Sequence, residues 1–417
     1  MNKYMRYLIE GTLFYHGAKK IIIKPCKVLD RGLGYLIRNI IYRKGKIQEN
    51  KIFIMTFDNN FSCNPKYIAE ELIDEGREVD IVWAVDKIRH DFPPQIRQVK
   101  RGSIEMFDEQ ASAKVWIDNA LNCLWYELPK KKGQIYINTW HGSMGIKKLS
   151  GNRIWKWHAR NCDNLTDYCI TNSRFEENVF RSTFWKHVKF LKFGHARNDI
   201  LFTTDASQNK IRDKVLAFYH LDQSTQIALY APTFRDKNDT GYYDIDFISL
   251  HDSLKQRFGG DWVILSRAHF KNREKKDSMN NISVDPNVSW LLNGSLYPDM
   301  QELMVATDIG ITDYSSWAYD YILARRPLFI YAPDIKEYDQ DRGFYYPIQT
   351  TPFPIAYTND QLARNIKSFD KEYYLNNVNK FLEDKGCYED GKASVRIAEK
   401  LMELMGLDKS EIKKTQC

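Results

Sequence analysis

From Lys51 onward, short apolar runs alternate with stretches whose apolar residues recur every three or four positions. Residues 52–57, 79–83, 115–119, 135–140, 169–172 and 188–193 have the length and composition of strands, while 65–75 and 174–180 have helical periodicity. The pattern then restarts. Residues 227–230, 262–265, 309–312 and 328–331 form a second set of strand candidates, accompanied by helices at 247–258, 360–368, 373–382 and 393–405. Such alternation implies parallel sheets covered by helices, so the fold class is α/β, in two consecutive domains, 48–204 and 205–407. The polar stretch 205–214 reads as a linker between them, 271–281 as a solvated loop and 408–417 as a frayed tail.

The first 47 residues follow a different pattern. Leu33, Leu36, Ile37, Ile40 and Ile41 share one helical face with Arg31 and Arg38 opposite, and apolar residues before them are interleaved with lysines. Eleven Lys or Arg stand here against Glu10 and Asp30, a surplus of nine; the whole chain carries +7, so the remainder is at −2. Residues 1–47 therefore read as a basic amphipathic segment suited to an anionic membrane surface, the alternative being a helix packed on its own domain. The acidic body argues against nucleic-acid binding. No apolar run approaches the roughly 18 residues of a membrane span, and Glu10 interrupts the only candidate signal-peptide core. The expected location is the cytoplasmic face of the cell membrane, held peripherally. Seven scattered cysteines with no C-x-x-C pair argue against a disulfide framework and a structural zinc.

Four clusters fall at the carboxyl ends of strand candidates, where open α/β sheets bind ligands. They are Trp140-His141-Gly142-Ser143, Pro232-Thr233-Phe234-Arg235, Arg267-Ala268-His269 and Thr312-Asp313-Tyr314-Ser315-Ser316, the last leading into a helix that carries Asp320. One lies in the first domain and three in the second, which places the site in the cleft between them. Ser315 or Ser316 at a helix N-cap offers a phosphate site, or serves only as a cap. His141 suits a general base, because imidazole titrates near neutrality, although a lone histidine is commonly structural. Arg235 and Arg267 offer planar forks for phosphate oxygens and His269 a further donor, the plain alternative being surface ion pairs. Together these describe a pyrophosphate pocket. No Walker-type loop, Gly-x-Gly-x-x-Gly or His-Glu-x-x-His is present, and Asp244-Ile245-Asp246 reads as a solvated loop, not a metal site.

Taken in order, Trp140-His141-Gly142, Gly194-His195-Ala196-Arg197-Asn198-Asp199, Ala231-Pro232-Thr233-Phe234-Arg235, Arg267-Ala268-His269, Thr312-Asp313-Tyr314-Ser315-Ser316 with Asp320, and Asp334 through Tyr338 to Arg342-Gly343-Phe344-Tyr345 resemble the motifs of the CDP-glycerol glycerophosphotransferases, the teichoic acid primases and polymerases. The likeness runs from about Asn64 to Tyr345. It implies a GT-B fold of two Rossmann-like domains facing a central cleft, with CDP-glycerol as donor substrate and no cofactor. It also implies a lipid-linked glycan or polyol-phosphate acceptor. By the same resemblance His141 corresponds to the base and His269 to a second essential histidine. Arg197, Pro232, Thr233, Arg235, Arg267, Ser315, Ser316 and Asp320 then fall at donor-binding positions. The chain departs from the pattern at Ser143-Met144, Ala196 and Ala268, where the family has Thr-Pro, Pro and Pro.

The expected reaction is attack by an acceptor hydroxyl on the glycerol-bearing phosphorus, with CMP expelled and no metal required. Three alternatives stay open: CDP-ribitol as donor, a GT-B glycosyltransferase using a nucleotide sugar, and a non-catalytic membrane-surface protein that binds polymer. A homo-oligomer is also compatible with the sequence.

Overall fold

The computed structural model describes residues 40–42, 45–58, 60–122, 128–149, 162–233, 245–267 and 288–407. Most of the basic segment, Phe234, Arg235, Asp244, Ala268, His269, the loop 271–281 and the tail 408–417 lie outside the described residues.

Two parallel sheets organise the chain. The first joins β1 (Gln48–Met55), β2 (Asp80–Val85), β3 (Ile96–Lys100), β4 (Ala113–Asp118), β5 (Ile135–Asn138), β6 (Tyr168–Ile170) and β7 (Lys189–Leu191) in the order β3-β2-β1-β4-β5-β6-β7. The second joins β8 (Gln226–Tyr230), β9 (Trp262–Ser266), β10 (Leu291–Asn293), β11 (Ile309–Thr312), β12 (Leu328–Tyr331) and β13 (Ile355–Ala356) in the order β10-β9-β8-β11-β12-β13. In each, the order in which strands are added reverses once, at β1/β4 and at β8/β11, which is the doubly wound order of nucleotide-binding folds. The α/β class and the two Rossmann-like units expected from the sequence are both present.

Strand alternation divides the first core cleanly. Ile52, Ile54, Trp83, Val115 and Ile117 point to one face, under the helices Cys63–Asp74 and Ala393–Met405. Phe53, Met55, Val82, Trp116 and Tyr136 point to the other, under Ile104–Ser112. Burying each such side chain is worth ~1.5–3 kcal/mol, so both faces are strongly committed.

Two expectations need correcting. The polar stretch taken as a linker is the first part of a helix, Asp205–Phe218, whose Thr204 hydroxyl caps Ser207 N. Its Val215 and Leu216 pack in the second core, a sparse stripe that charged neighbours obscure in the sequence. The helix Ala393–Met405, read as part of the second unit, instead fills the first core with Ile397, Leu401 and Met405. Asp199 fixes its start by accepting from Ala393 N at 3.0 Å and Ser394 N at 2.6 Å.

A loop of the first unit also enters the second. After β5 the chain buries Met144 and Ile146 in the second core, and Tyr345 N donates to Ile146 O at 2.8 Å. The site loop is thus pinned at both ends. Among the described residues no helix is long and apolar enough to cross a membrane.

Candidate active site

His141 follows β5 by three residues, on a turn built by asparagines. Asn138 Oδ1 accepts from Trp140 N at 2.8 Å, and Asn64 Nδ2 donates to the carbonyls of Thr139 and Trp140 at 2.8 and 3.2 Å. Trp140 adopts a left-handed φ of 53°, a conformation that costs a non-glycine residue energy and that its surroundings must hold. They do so by packing: its indole lies edge-on to Phe180 and Trp185, at 5.4 and 5.8 Å between ring centroids. Gly142 is required next, since a Cβ there would sit 2.9 Å from Trp140 Nε1.

The His141 ring stacks on Trp140 at 4.6 Å and lies 4.8 Å from Phe57, with the residue itself exposed to the cleft. Its Nδ1 is 2.6 Å from the carbonyl oxygen of Asn119. A carbonyl can only accept, so Nδ1 carries the proton and Nε2 keeps its lone pair. The crowded cleft floor lowers the imidazole pKa to about 4; the Asn119 carbonyl opposes this, while the positive charges of Arg197 and Lys147 reinforce it. The exposed ring edge moderates the desolvation, but the direction is clear: His141 is neutral at pH 7.

Ser143 points into the first unit, where Asn172 Nδ2 donates to its hydroxyl at 2.7 Å. Two residues on, Gly145 meets the second unit, for a Cβ there would lie 3.3 Å from Ser316 Cβ. This contact brings the His141 loop against the serine turn.

That turn is tied to the strand beside it. Thr312 Oγ1 donates to Ala231 O at 2.7 Å, and Asp313 Oδ1 accepts from Thr233 N and Oγ1 at 2.8 and 2.7 Å. Trp317 Nε1 reaches the same Ala231 carbonyl at 2.8 Å. Pro232, Thr233, Thr312 and Asp313 therefore form one rigid edge at the β8/β11 switch point. Ser315 and Ser316 are half-buried beside it. The expected serine cap is not made: Ser316 occupies the N-cap position of Trp317–Tyr321 in helical conformation, without a side-chain capping bond.

Three expected ligand contacts are turned inward. Arg267 Nη1 donates to Gly294 O and Tyr297 O at 2.7 and 2.6 Å, so it holds the turn after β10. Arg197 and Asp320 are 2% and 4% exposed and bond to each other across the units, Nε to Oδ2 at 3.1 Å and Nη2 to Oδ1 at 3.2 Å. The reason is positional, because both side chains start from segments that meet at the seam. Arg235 and His269 lie outside the described residues.

Sequence reasoning passed over Asn64, Asn119 and Asn172. The signal was present, since Asn119, Asn138 and Asn172 each stand just at or beyond the carboxyl end of a buried strand, where a short polar side chain can bond to the loops that follow.

Comparison with known proteins adds three likenesses to a family match. Residues 37–403 match the family profile described as CDP-Glycerol:Poly(glycerophosphate) glycerophosphotransferase. The chain is 32% identical over 361 residues to the teichoic acid poly(glycerol phosphate) polymerase of Staphylococcus epidermidis, a match covering 82% of this chain and 48% of that protein. It thus spans about half the length of that relative. It is 28% identical over 404 residues to a protein of the same name from Bacillus spizizenii, covering 92% of this chain and 98% of the relative. A solved structure of a variant of the wall teichoic acid polymerase TagF superposes with a TM-score of 0.78 at 28% identity, over 92% of this chain and 97% of that one.

Proposed function

Since the chain belongs to the CDP-glycerol:poly(glycerophosphate) glycerophosphotransferase family, we propose that it transfers glycerol phosphate from CDP-glycerol to a hydroxyl of a lipid-linked acceptor, releasing CMP, in teichoic acid synthesis. The observation that carries this reading is His141, a neutral imidazole whose Nδ1 is committed to Asn119 O and whose Nε2 is left to accept a proton at the cleft between the two units.

In this mechanism the acceptor oxygen attacks the phosphorus bearing glycerol, the bond to the CMP oxygen breaks, and the hydroxyl proton passes to His141 Nε2. Charge on the transferring group is met by His269, Arg235 and the hydroxyls of Ser315 and Ser316. Positioned donors of this kind stabilise a transition state because they need no rearrangement as charge develops. Pro232, Thr233, Thr312 and Asp313 shape the donor side, while Trp140, Gly142 and Ser143 set the base. No metal enters the scheme. The enzyme works at the cytoplasmic face of the membrane, where residues 1–47 meet anionic lipid.

The test is CMP release from CDP-glycerol with a glycerol-phosphate-primed lipid acceptor, run beside CDP-ribitol and UDP-sugars. Acceptor-dependent CMP from CDP-glycerol alone is expected, and His141→Ala should reduce it by about 10²–10⁴ while leaving donor binding intact. CMP from CDP-ribitol alone, or UDP from the UDP-sugars alone, would overturn the donor, and full turnover by the variant would overturn the base.

A further inference from the structure

We propose that Asn119 and Phe57 are positioning residues for His141, because one asparagine holds both the imidazole and the aromatic ring that packs against it. The inference rests on the reading of His141 as base. Strands β1 and β4 are paired neighbours at the switch point of the first sheet, with Met55 opposite Asp118. Phe57 stands two residues beyond β1 and Asn119 one beyond β4, so their loops leave adjacent strands. Asn119 is fully buried. Its backbone carbonyl faces His141 Nδ1 at 2.6 Å, and its side-chain Oδ1 accepts from Phe57 N at 2.9 Å. The Phe57 ring then lies 4.8 Å from the imidazole, at 40° to its plane. Asp118 stiffens the turn that carries Asn119: its Oδ1 accepts from Ala120 N and Asn122 Nδ2, each at 2.8 Å, and its Oδ2 accepts from Tyr136 Oη at 2.9 Å. Thr56 steadies the β1 loop, its hydroxyl donating to Asn60 O at 3.1 Å. Loops from β1, β4 and β5 thus form a single seat for the histidine.

Fold stability alone does not account for this asparagine. Its Nδ2 is buried with no hydrogen-bond partner beyond the weakly accepting Cys63 thiol beside it, and a buried donor left unsatisfied carries a desolvation cost. What Oδ1 supplies in return is the place of Phe57. The ring keeps water from part of the imidazole, and loss of water favours the neutral form. The charges of Arg197, Lys147 and His195 act in the same direction, while the Asn119 carbonyl opposes them and fixes the tautomer. The two atoms of Asn119 therefore have separable tasks. Its backbone oxygen decides which nitrogen of His141 is the base, and its side-chain oxygen decides how dry and how firmly held the ring is.

Two variants of the full chain take these tasks apart. Asn119→Ala keeps the carbonyl that serves Nδ1 but loses the bond to Phe57 N, whereas Phe57→Leu keeps the backbone bond and loses the ring. For each, the titration of His141 is followed by NMR of histidine-labelled protein, its signal assigned by its loss in His141→Gln. The pH profile of kcat/KM for CMP release and CDP-glycerol affinity by calorimetry are read beside it. Water reaching the ring favours the charged form, so in both variants the His141 pKa and the acid limb should rise together by about one pH unit, toward the ordinary value near 6.5. A fall in kcat of about 10- to 100-fold should accompany this, as for a base displaced by up to about 1 Å, with donor affinity unchanged. Phe57→Tyr, which keeps an aromatic face, should hold the limb near that of the parent. A His141 titration that stays at the parent value in both variants overturns the proposal even if kcat falls, since Phe57 would then act on the acceptor and not on the base. Full kcat in both variants overturns it, and so does a loss of donor affinity, which would carry the effect beyond the base. If the parent protein releases no CMP from CDP-glycerol, the transferase reading fails, while the NMR titration still decides whether these two residues set the imidazole.

Discussion

The chemistry of His141 is decided by what its other nitrogen does. With Nδ1 held at 2.6 Å from Asn119 O, only one tautomer fits, and the crowded floor of the cleft keeps the ring neutral. This has a measurable consequence in acid. An imidazole of ordinary pKa is about nine-tenths protonated at pH 5.5, whereas one lowered to about 4 is still mostly free base. A base must be unprotonated to act, so the acid limb of kcat/KM should lie well below 6.5. A limb at 6.5 would show that the ring is as free in solution as a surface histidine. Residue type made His141 legible as a candidate, but the tautomer was not legible, because the partner is a backbone carbonyl that carries no identity in the sequence. The same limit applies to Arg267 and Arg197. A guanidinium can donate to a phosphate or to a carbonyl, and only the fold shows that these two face Gly294 O and Gly142 O.

At the scale of elements, the central strands were readable since both faces are buried and the run is apolar throughout. The edges were not: β3 buries only Ile96 and Val99, and β13 has two residues. Helix starts carry a further lesson in Arg174–Thr183. Ser173 Oγ accepts from Glu176 N at 3.1 Å, while Glu176 reaches back to accept from Asn172 N at 2.8 Å, a reciprocal cap in the spirit of a capping box. Glu176 is 2% exposed and burial pushes its carboxyl up to about 8, with His195 Nε2 only 3.1 Å away, though off the line of a hydrogen bond. A carboxyl whose pKa is raised on folding stabilises the native state while protonated, and that contribution is lost as pH rises from the unfolded value through about 8. The melting temperature should therefore fall between about pH 5 and 8 more steeply than in Glu176→Gln, which has no charge to bury. Parallel slopes in thermal melts of the two proteins would rule this out.

At the scale of the whole molecule, the units are joined by more than the Arg197 pair. Lys66, from the helix Cys63–Asp74, pairs with Asp299, which also caps Met300–Ala306 in the second unit by accepting from Gln301 N at 2.8 Å. Both side chains are about 10% exposed or less, so Lys66→Met strips the buried Asp299 carboxylate of its cation, leaving only neutral donors such as Gln301 N, and should cost about 3–5 kcal/mol in urea unfolding. A loss below about 1 kcal/mol, the scale of a solvated pair, would mean the seam stands open in solution. Membrane attachment belongs to this scale too. Deleting residues 1–44 removes nearly all the surplus positive charge, and flotation with anionic liposomes should fall sharply, whereas retained binding would place attachment on the folded body. The two-unit plan was legible from the restart of the strand pattern, but the return of Ala393–Met405 to the first core was not, since an amphipathic face does not name the sheet it covers. That return also orders events in time. A ribosome makes the second unit's strands before it makes residues 393–405, so the unit begun first is finished last. Until then Ile68, Leu72 and their neighbours pack only on the strands and lack the cover that Ile397, Leu401 and Met405 give them, so the first core stays incomplete while the second is already packing.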